Sequence, residues 1–171
     1  MLNMTDPIII EALDKAQTSY ELYAHPNFST CETSSAWHEA SGKPGCRVKN
    51  LFLRNKNGKQ HLLLLLPHEI EYDKARFKVL SGEKCGFASD DRLAQYLNIK
   101  PGCVSPLSLV HDADNHVLVF IEQSLMQAEA LHLHPGTPES SVQIKPADLL
   151  HWLEIQGYQP KIISWNEEAA T

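Results

Sequence analysis

The fold of this chain is decided by residues 47–67, which read RVKNLFLRNKNGKQHLLLLLP. The first half alternates in the manner of a β-strand, with Val48 and Phe52 directed to one side. Asn55-Lys56-Asn57-Gly58 predicts a tight turn, because Asn-Gly readily adopts positive φ. Residues 60–66 predict a returning strand, and its continuous apolar character indicates burial on both faces. Residues 47–67 therefore predict a β-hairpin.

Shorter patterns on both sides of the hairpin predict a mixture of helices and strands. Thr5 or Asp6 can cap a helix with Pro7 at its first position, and Ser89 can cap another. Further helices are predicted at residues 30–39, 73–80, 124–131 and 146–156, and strands at residues 20–23, 87–88, 107–110, 117–121 and 141–144. The strands at 107–110 and 117–121 are predicted to form a second hairpin. Because no regular βαβ rhythm is present, we expect one α+β domain over residues 1–171, with a frayed tail after about residue 165.

The composition is that of an ordinary globular protein, with 43% hydrophobic and 21% charged residues among 171. No apolar run is long enough to span a bilayer, and the N-terminus lacks the pattern of a signal peptide. We therefore expect a cytoplasmic protein without a membrane partner. The four cysteines, Cys31, Cys46, Cys85 and Cys103, form no Cys-x-x-Cys pair, which argues against a structural zinc site and predicts free thiols. No local feature selects one of them as a nucleophile.

Several familiar catalytic motifs are absent. The chain has no Walker sequence, no dinucleotide-binding glycine pattern and no Gly-x-Ser-x-Gly elbow, which argues against the enzyme classes that use them. His132 and His134 form a His-x-His pair that could bind a metal if a third ligand came from elsewhere. Two ordinary polar residues near a loop are the simpler explanation of this pair.

Positive charge is concentrated between residues 40 and 68. This segment holds six of the 15 Lys and Arg residues and none of the 21 Asp and Glu residues, in a chain of net charge −6. Such a block can offer a defined surface to a polyanion. Arg54, Lys56 and Lys59 flank the predicted turn, where they are either solvated or in contact with RNA. Lys49 lies inside a predicted strand, either as an edge lysine with its ammonium in water or as an anchor for a phosphate or carboxylate.

Separated segments of the chain together resemble the YbaK/ProX family. This is the family of aminoacyl-tRNA deacylases related to the editing domain inserted in bacterial prolyl-tRNA synthetase. The order and spacing are similar to those of the free-standing ProX members, and the resemblance extends from the first helix to about Gly157. The matching residues are Lys49-Asn50-Leu51-Phe52-Leu53, Phe87-Ala88-Ser89 with Leu93 and Leu97, Pro101-Gly102-Cys103-Val104-Ser105-Pro106 with Leu107, His134-Pro135, and Asp148-Leu149-Leu150 with Leu153 and Gly157.

The resemblance implies a fold, an activity and a set of site residues. The implied fold is α+β, with a mixed, partly barrel-like β-sheet ringed by helices. The implied activity is trans-editing, the hydrolysis of the ester that joins a wrong amino acid, such as alanine or cysteine, to the terminal adenosine of a tRNA, often tRNA-Pro. Lys49 matches the family residue most closely tied to activity. The residues expected to bind the substrate are Gly102, Cys103, Val104, Ser105, Pro106, His134 and Pro135.

A mechanism of this kind needs positioning and charge stabilisation more than a strong nucleophile, because an aminoacyl ester is already activated. Lys49 is expected to pair with a phosphate or stabilise the developing oxyanion, and Asn50 to hold the ribose or a water. The mechanism requires no metal or other cofactor. A monomer is expected, with tRNA as its partner and prolyl-tRNA synthetase as a second candidate partner. The residues expected to contact tRNA are Arg47, Arg54, Lys56 and Lys59.

Residues 132–139 depart from the family pattern. Gly-Phe before the His-Pro pair is replaced by His132-Leu133, and an Asn followed by Thr is replaced by Pro138-Glu139. This difference favours an alternative in which the chain binds tRNA or a synthetase without catalysis. A metal-dependent hydrolase built on His132 and His134 is a third possibility.

Overall fold

The hairpin of residues 47–67 forms the centre of the sheet in the computed structural model, which describes residues 5–26, 37, 40, 42 and 46–166. Strands β2 (Cys46–Asn55) and β3 (His61–Pro67) pair antiparallel from Val48↔Pro67 to Arg54↔His61. Gly58 adopts φ +70° in the connecting turn, and its N–H donates to the Asn55 carbonyl at 3.1 Å. The predicted hairpin is confirmed.

The sheet of the described residues is mixed and contains eight strands. Besides β2 and β3, the strands are β1 (Glu21–Ala24), β4 (Cys85–Phe87), β5 (Leu118–Glu122), β6 (Leu131–Leu133), β7 (Ser140–Ile144) and β8 (Lys161–Ile163). Their order in the sheet is β1-β7-β6-β2-β3-β5-β8, with β4 also paired to β2. The pairs β2–β6, β3–β5 and β5–β8 are parallel, and the others are antiparallel. The mixed α+β architecture expected from the sequence is confirmed.

Helices begin where the sequence supplies a capping side chain. Asp6, Asp73 and Ser89 each accept a hydrogen bond from a backbone N–H of the first turn that follows. The α-helices are α1 (Pro7–Lys15), α2 (Lys74–Ser81), α3 (Asp90–Leu97) and α4 (Pro146–Ile155), and the 3-10 helices are Pro106–His111 and Gln123–Gln127. None of the described helices is both long and apolar enough to cross a membrane.

Strand β3 divides the interior into two apolar layers. Leu63 and Leu65 belong to the larger layer, which also contains buried residues of α1, α3 and α4. Leu62, Leu64 and Leu66 belong to the smaller layer, together with Phe77 and Trp165. The leucine run is buried on both faces, as predicted, because neighbouring strand residues point to opposite sides.

The predicted second hairpin is wrong. Residues 107–110 lie in the 3-10 helix Pro106–His111, where Ser105 Oγ accepts the Leu107 N–H at 3.1 Å. Strand β5 instead pairs in parallel with β3. The carboxylate of Asp112 holds the connection between them, accepting 2.9 Å hydrogen bonds from the Val117 N–H and the Tyr158 hydroxyl. A buried apolar run is compatible with either conformation, and Pro106 at the first position favours the helix.

The sequence also misjudged a short helix and missed a short strand, and two of its predictions lie outside the described residues. The helix predicted at residues 124–131 is a shorter 3-10 helix, Gln123–Gln127, and Leu131 already belongs to β6. Strand β8 was not predicted, because three residues carry too little periodicity. The helix predicted at residues 30–39 lies almost wholly outside the described residues, as does the tail after residue 166.

Candidate functional site

Strand β2 is paired continuously along one edge and only at its two ends along the other. Strand β3 pairs with it along residues 48–54, whereas on the other edge β6 pairs only with Cys46 and Arg47, and β4 pairs only from Leu53. Between these contacts, no strand in the described part of the chain pairs with residues 48–52 on that edge. We call this break in the sheet the β2 gap. The Ala88 N–H closes its far end by donating to the Phe52 carbonyl at 3.0 Å.

Backbone polar groups of β2 face the β2 gap. The Arg47 carbonyl points to the β3 side, where it accepts the His68 N–H at 3.2 Å, and the Phe52 carbonyl points to the opposite side. Neighbouring residues of an antiparallel strand alternate the edge to which their N–H and C=O point. The N–H and C=O of Asn50 are therefore directed into the β2 gap, within reach of a ligand bound there.

Lys49 is half-buried, and its ammonium is anchored. Its Nζ donates to the Ile70 carbonyl at 2.6 Å. The ion pairs among the described residues are His68–Glu69 and His111–Asp6, so the charge of Lys49 meets no described carboxylate. An ammonium carries three N–H donors, and two remain after the bond to Ile70. Lys49 thus retains both charge and donors for an anionic group.

Lys49 and Asn50 lie on opposite faces of the sheet. Lys49 stands opposite Leu66 of the smaller apolar layer, and Asn50 stands opposite Leu65 of the larger one. Asn50 Nδ2 donates to the Val48 carbonyl at 3.2 Å, while its buried Oδ1 has no hydrogen-bond partner among the described residues. Both side chains were predicted from the sequence to belong to one catalytic site. They can meet a single ligand only from opposite sides of β2, at the β2 gap.

His134 lies on the same side of the sheet as Lys49. Arg47 is in register with His132 on the parallel strand β6, so residues two positions further along each strand share that face. His134 follows β6 directly, and its Nδ1 lies 3.0 Å from the Ser140 carbonyl. His134, the histidine expected to bind the substrate, is therefore on the Lys49 side of the β2 gap. The adjoining Pro135 is buried, and its carbonyl accepts the Asp6 N–H at 2.9 Å.

Two residues of this region were not singled out from the sequence. His25 is buried, with its ring 6.0 Å from that of His134 and its Nε2 2.8 Å from Ser141 Oγ. The hydroxyl of Tyr23 lies 2.6 Å from His132 Nδ1, and burial raises the pKa of Tyr23 to about 12. Tyr23 therefore stays protonated at neutral pH. Their proximity depends on β1 pairing with β7, which no local sequence signal predicts.

His132 is packed into the structure by Tyr23. The imidazole is only 7% exposed and meets the Tyr23 ring edge-on, with the ring centroids 5.8 Å apart. The departure from the family pattern at this position thus adds a buried aromatic contact.

The loop of residues 102–106 is joined to the larger apolar layer. Cys103 is buried in that layer and Val104 packs against it, on the face that also carries Asn50. Ser105 and Pro106 are buried at the start of the 3-10 helix, whereas Gly102 is exposed with φ +89°. No hydrogen bond in the described part of the chain joins this loop to Lys49 or His134. The loop therefore lies on the face of the sheet that carries Asn50, and His134 lies on the face that carries Lys49.

Comparison with known proteins identifies the family. Residues 25–151 match the model of the aminoacyl-tRNA editing domain. This chain belongs to that family. The resemblance seen in the sequence is thereby confirmed, and the matched range includes every residue of the β2 gap described above.

Relatives of this editing domain cover most of the chain. It is 30% identical over 156 residues to the prolyl-tRNA editing protein ProX of Acetoanaerobium sticklandii, covering 91% of this chain and 94% of the relative. It is 29% identical over 145 residues to prolyl-tRNA synthetase associated domain-containing protein 1 of Danio rerio, covering 83% of this chain and 77% of the relative. A crystal structure of a candidate trans-editing enzyme for prolyl-tRNA synthetase has the same fold, with a TM-score of 0.68 at 18% identity over 93% of this chain and 98% of that one.

The four residues of the editing domain expected to contact tRNA do not form one patch. Arg47 lies beside His132, and Arg54 lies seven residues further along β2, which corresponds to about 23 Å of extended strand. Lys56 and Lys59 are exposed at the hairpin turn. Arg54 is held there by hydrogen bonds from its Nη1 to the carbonyls of Asn55 at 3.2 Å and Lys56 at 3.4 Å. Arg54, Lys56 and Lys59 thus form a group at the turn, apart from Arg47.

The described thiols of the editing domain are poor nucleophiles. Cys85 and Cys103 are free and buried. Burial raises the pKa of Cys85 to about 11, with a further contribution from Glu83, and burial also raises the pKa of Cys103. Both therefore remain thiols at neutral pH, and the thiolate is the reactive form. The described residues also contain no group of three His, Cys, Asp or Glu side chains placed to hold a metal ion.

Proposed function

We propose that this chain is a trans-editing aminoacyl-tRNA deacylase. It hydrolyses the ester between a small, wrongly attached amino acid and the terminal adenosine of a tRNA, with tRNA-Pro as the preferred tRNA. The observation that carries this proposal is the β2 gap, where Lys49 and the buried Oδ1 of Asn50, which has no hydrogen-bond partner among the described residues, border a strand edge that no described strand covers. The name of the Acetoanaerobium relative, a prolyl-tRNA editing protein, supports the choice of substrate.

The carbonyl of the ester is the group that needs stabilisation. Its oxygen becomes negative as water attacks, and preorganised donors lower the energy of that charge. The two remaining N–H donors of the Lys49 ammonium and the backbone N–H of Asn50 supply such donors at the β2 gap. Water is the nucleophile, and no thiolate is required. The bond between the carbonyl carbon and the ribose oxygen then breaks, and this oxygen takes up the proton released by the attacking water. The products are a free amino acid and an uncharged tRNA.

The α-ammonium of the substrate needs acceptors. Asn50 Oδ1 is a buried acceptor without a partner among the described residues, and leaving it so costs roughly 1–3 kcal/mol. A bound ammonium, ribose hydroxyl or water would satisfy it. The exposed Gly102 backbone offers further polar groups on the same face of the sheet, and His134 approaches from the Lys49 face. The substrate thus lies across the edge of β2, bound from both sides.

The test is a hydrolysis assay with tRNA-Pro charged with alanine, cysteine or serine, and with proline as the cognate comparison. We expect at least one mischarged tRNA to lose its amino acid faster than in buffer, and faster than prolyl-tRNA. One methylene alone is worth about 1–3 kcal/mol, and alanine, cysteine and serine differ from proline by more than that, so the preference should be at least about 10-fold. Binding of all these tRNAs without any acceleration would refute the proposal.

That outcome would favour a second candidate function, a monomeric module that binds tRNA or prolyl-tRNA synthetase without catalysis. The observation in its favour is residues 132–139, where His132 is fixed by Tyr23 at a position that the family usually fills with glycine. The name of the Danio relative, a synthetase-associated domain, fits such a module as well.

A further inference from the structure

A small cavity with a basic lining lies at the turn end of β2. Its volume is about 280 Å³, and it is lined by Arg54, Asn55, Lys56, Lys74, Lys84 and Gly86. Four of these six residues are cationic. The sequence suggested Arg54 and Lys56 as RNA contacts, but Lys74 and Lys84 lie outside the basic block of residues 40–68.

Three separate segments build this cavity. Arg54 and Asn55 end β2, with Lys56 directly after them; Lys74 begins α2, and Lys84 directly precedes β4. Gly86 of β4 pairs with Arg54, and a Cβ built on Gly86 would lie 3.6 Å from Lys74 Nζ. The ammonium of Lys74 therefore sits over the backbone of β4 and points into the cavity.

The positive charges of this cavity are not neutralised within the described part of the chain. The ion pairs formed there, His68–Glu69 and His111–Asp6, involve none of the four cationic residues. One carboxylate approaches the lining, since Glu83 Oε1 accepts a 3.4 Å hydrogen bond from Asn55 Nδ2. Four like charges around a small volume repel one another. A bound anion would remove that repulsion.

We propose that this cavity binds a phosphodiester group of RNA. Arg54 is preorganised for the contact, because its Nη1 is fixed by two backbone carbonyls and its other N–H groups remain as donors. The three lysines add charge without a fixed geometry, which suits a phosphate. Four residues of extended strand, about 13 Å, separate Arg54 from Asn50 at the β2 gap. The cavity therefore contacts the RNA a short distance from the aminoacylated end of the tRNA. This placement rests on the proposed function.

The test compares two pairs of substitutions by equilibrium binding of uncharged tRNA-Pro at several KCl concentrations. The double variant Lys74→Gln/Lys84→Gln removes two charges from the cavity. The control Lys15→Gln/Lys161→Gln removes two exposed lysines on α1 and β8. We expect the slope of log K against log salt to fall by up to about 0.9 in the cavity variant, since one lost phosphate contact contributes about 0.7–0.9. The control should keep the wild-type slope, and equal slopes in both variants would overturn the proposal.

A second arm separates RNA from free phosphate. The wild-type chain is titrated with inorganic phosphate and with a short single-stranded oligonucleotide, each in competition with labelled tRNA-Pro. Competition by the oligonucleotide at phosphate-group concentrations where inorganic phosphate has no effect supports the RNA site. If the wild type binds phosphate saturably and the cavity variant loses this binding but keeps the wild-type affinity for tRNA, the cavity is a site for free phosphate. That result would refute the proposed RNA site. Because uncharged tRNA is used, the result stands whether or not the chain hydrolyses esters.

Discussion

Substitution of Lys49 by Met separates an anchoring role of this lysine from a catalytic one. Methionine keeps most of the length of the side chain and removes the ammonium. The Ile70 carbonyl then loses the donor that now lies 2.6 Å away. We expect Lys49→Met to fold with the wild-type secondary structure, to unfold at a lower temperature, and to lose nearly all deacylase activity.

The two losses can be sized separately. A hydrogen bond from a charged donor contributes about 1.5–3 kcal/mol, and for 150–250 residues each kcal/mol shifts Tm by about 2–4 °C. The Tm should therefore fall by roughly 3–12 °C. Removing one preorganised donor from an oxyanion site lowers kcat by about 10²–10³. At a temperature far below the Tm of the wild type and of Lys49→Met, both proteins are fully folded. The lower stability therefore accounts for none of the decrease in kcat.

The assay is single-turnover deacylation of mischarged tRNA-Pro at 20 °C, alongside thermal unfolding followed by circular dichroism. Lys161→Met is the matched control, because Lys161 is an exposed lysine of strand β8. It should keep the wild-type rate and Tm. A lower Tm with an unchanged rate would show that Lys49 only anchors residue 70 and would refute its catalytic role. An unchanged Tm would refute the inferred strength of the Ile70 bond.

Three further predictions concern other parts of the chain. Asn50→Ala removes a buried acceptor without a described partner, so we expect activity to fall at least 10-fold while Tm changes by less than about 2 °C; a large Tm loss would contradict this. Burial lowers the pKa of His61 from 6.5 to about 4, so its unfolded form binds a proton first as the pH falls. The stability contribution is complete above about pH 6.5 and declines by roughly 1 kcal/mol per pH unit towards pH 4. Urea unfolding at pH 7 and pH 5 should show this decline in the wild type and a smaller one in His61→Gln, and equal declines would contradict it. Gly136 has φ +87° and a Cβ there would lie 2.8 Å from Asp6 Cβ, whereas Gly82 has φ +83° and no atom within 4 Å. Gly136→Ala should therefore lose at least about 1 kcal/mol more than Gly82→Ala, which carries only the left-handed strain of about 1–2 kcal/mol. Equal urea midpoints for the two variants would show that Asp6 moves away freely.

Local signals in the sequence were sufficient for the elements that position the site. Asp6 and Ser89 cap helices where their residue types predict, because the capping bond is made within four residues. Asn57-Gly58 turns the central hairpin for an equally local reason. The alternation that separates Lys49 from Asn50 was also available, since a strand has a period of two. Assigning Lys49 and Asn50 to one site ignored this period, which places neighbouring side chains on opposite faces of the sheet.

The sequence by itself determined the family, the central hairpin with its buried leucines, and the position of Lys49 within a strand. Each of these follows from neighbouring residues or from an ordered set of short motifs. Tertiary structure alone decided that β6 and β4 pair with the two ends of β2 and leave a gap between them. It also decided that Lys74 and Lys84 join Arg54 around one cavity. Both features depend on contacts between residues far apart in the chain, and the free energy of such contacts has no signature in a local pattern of residue types.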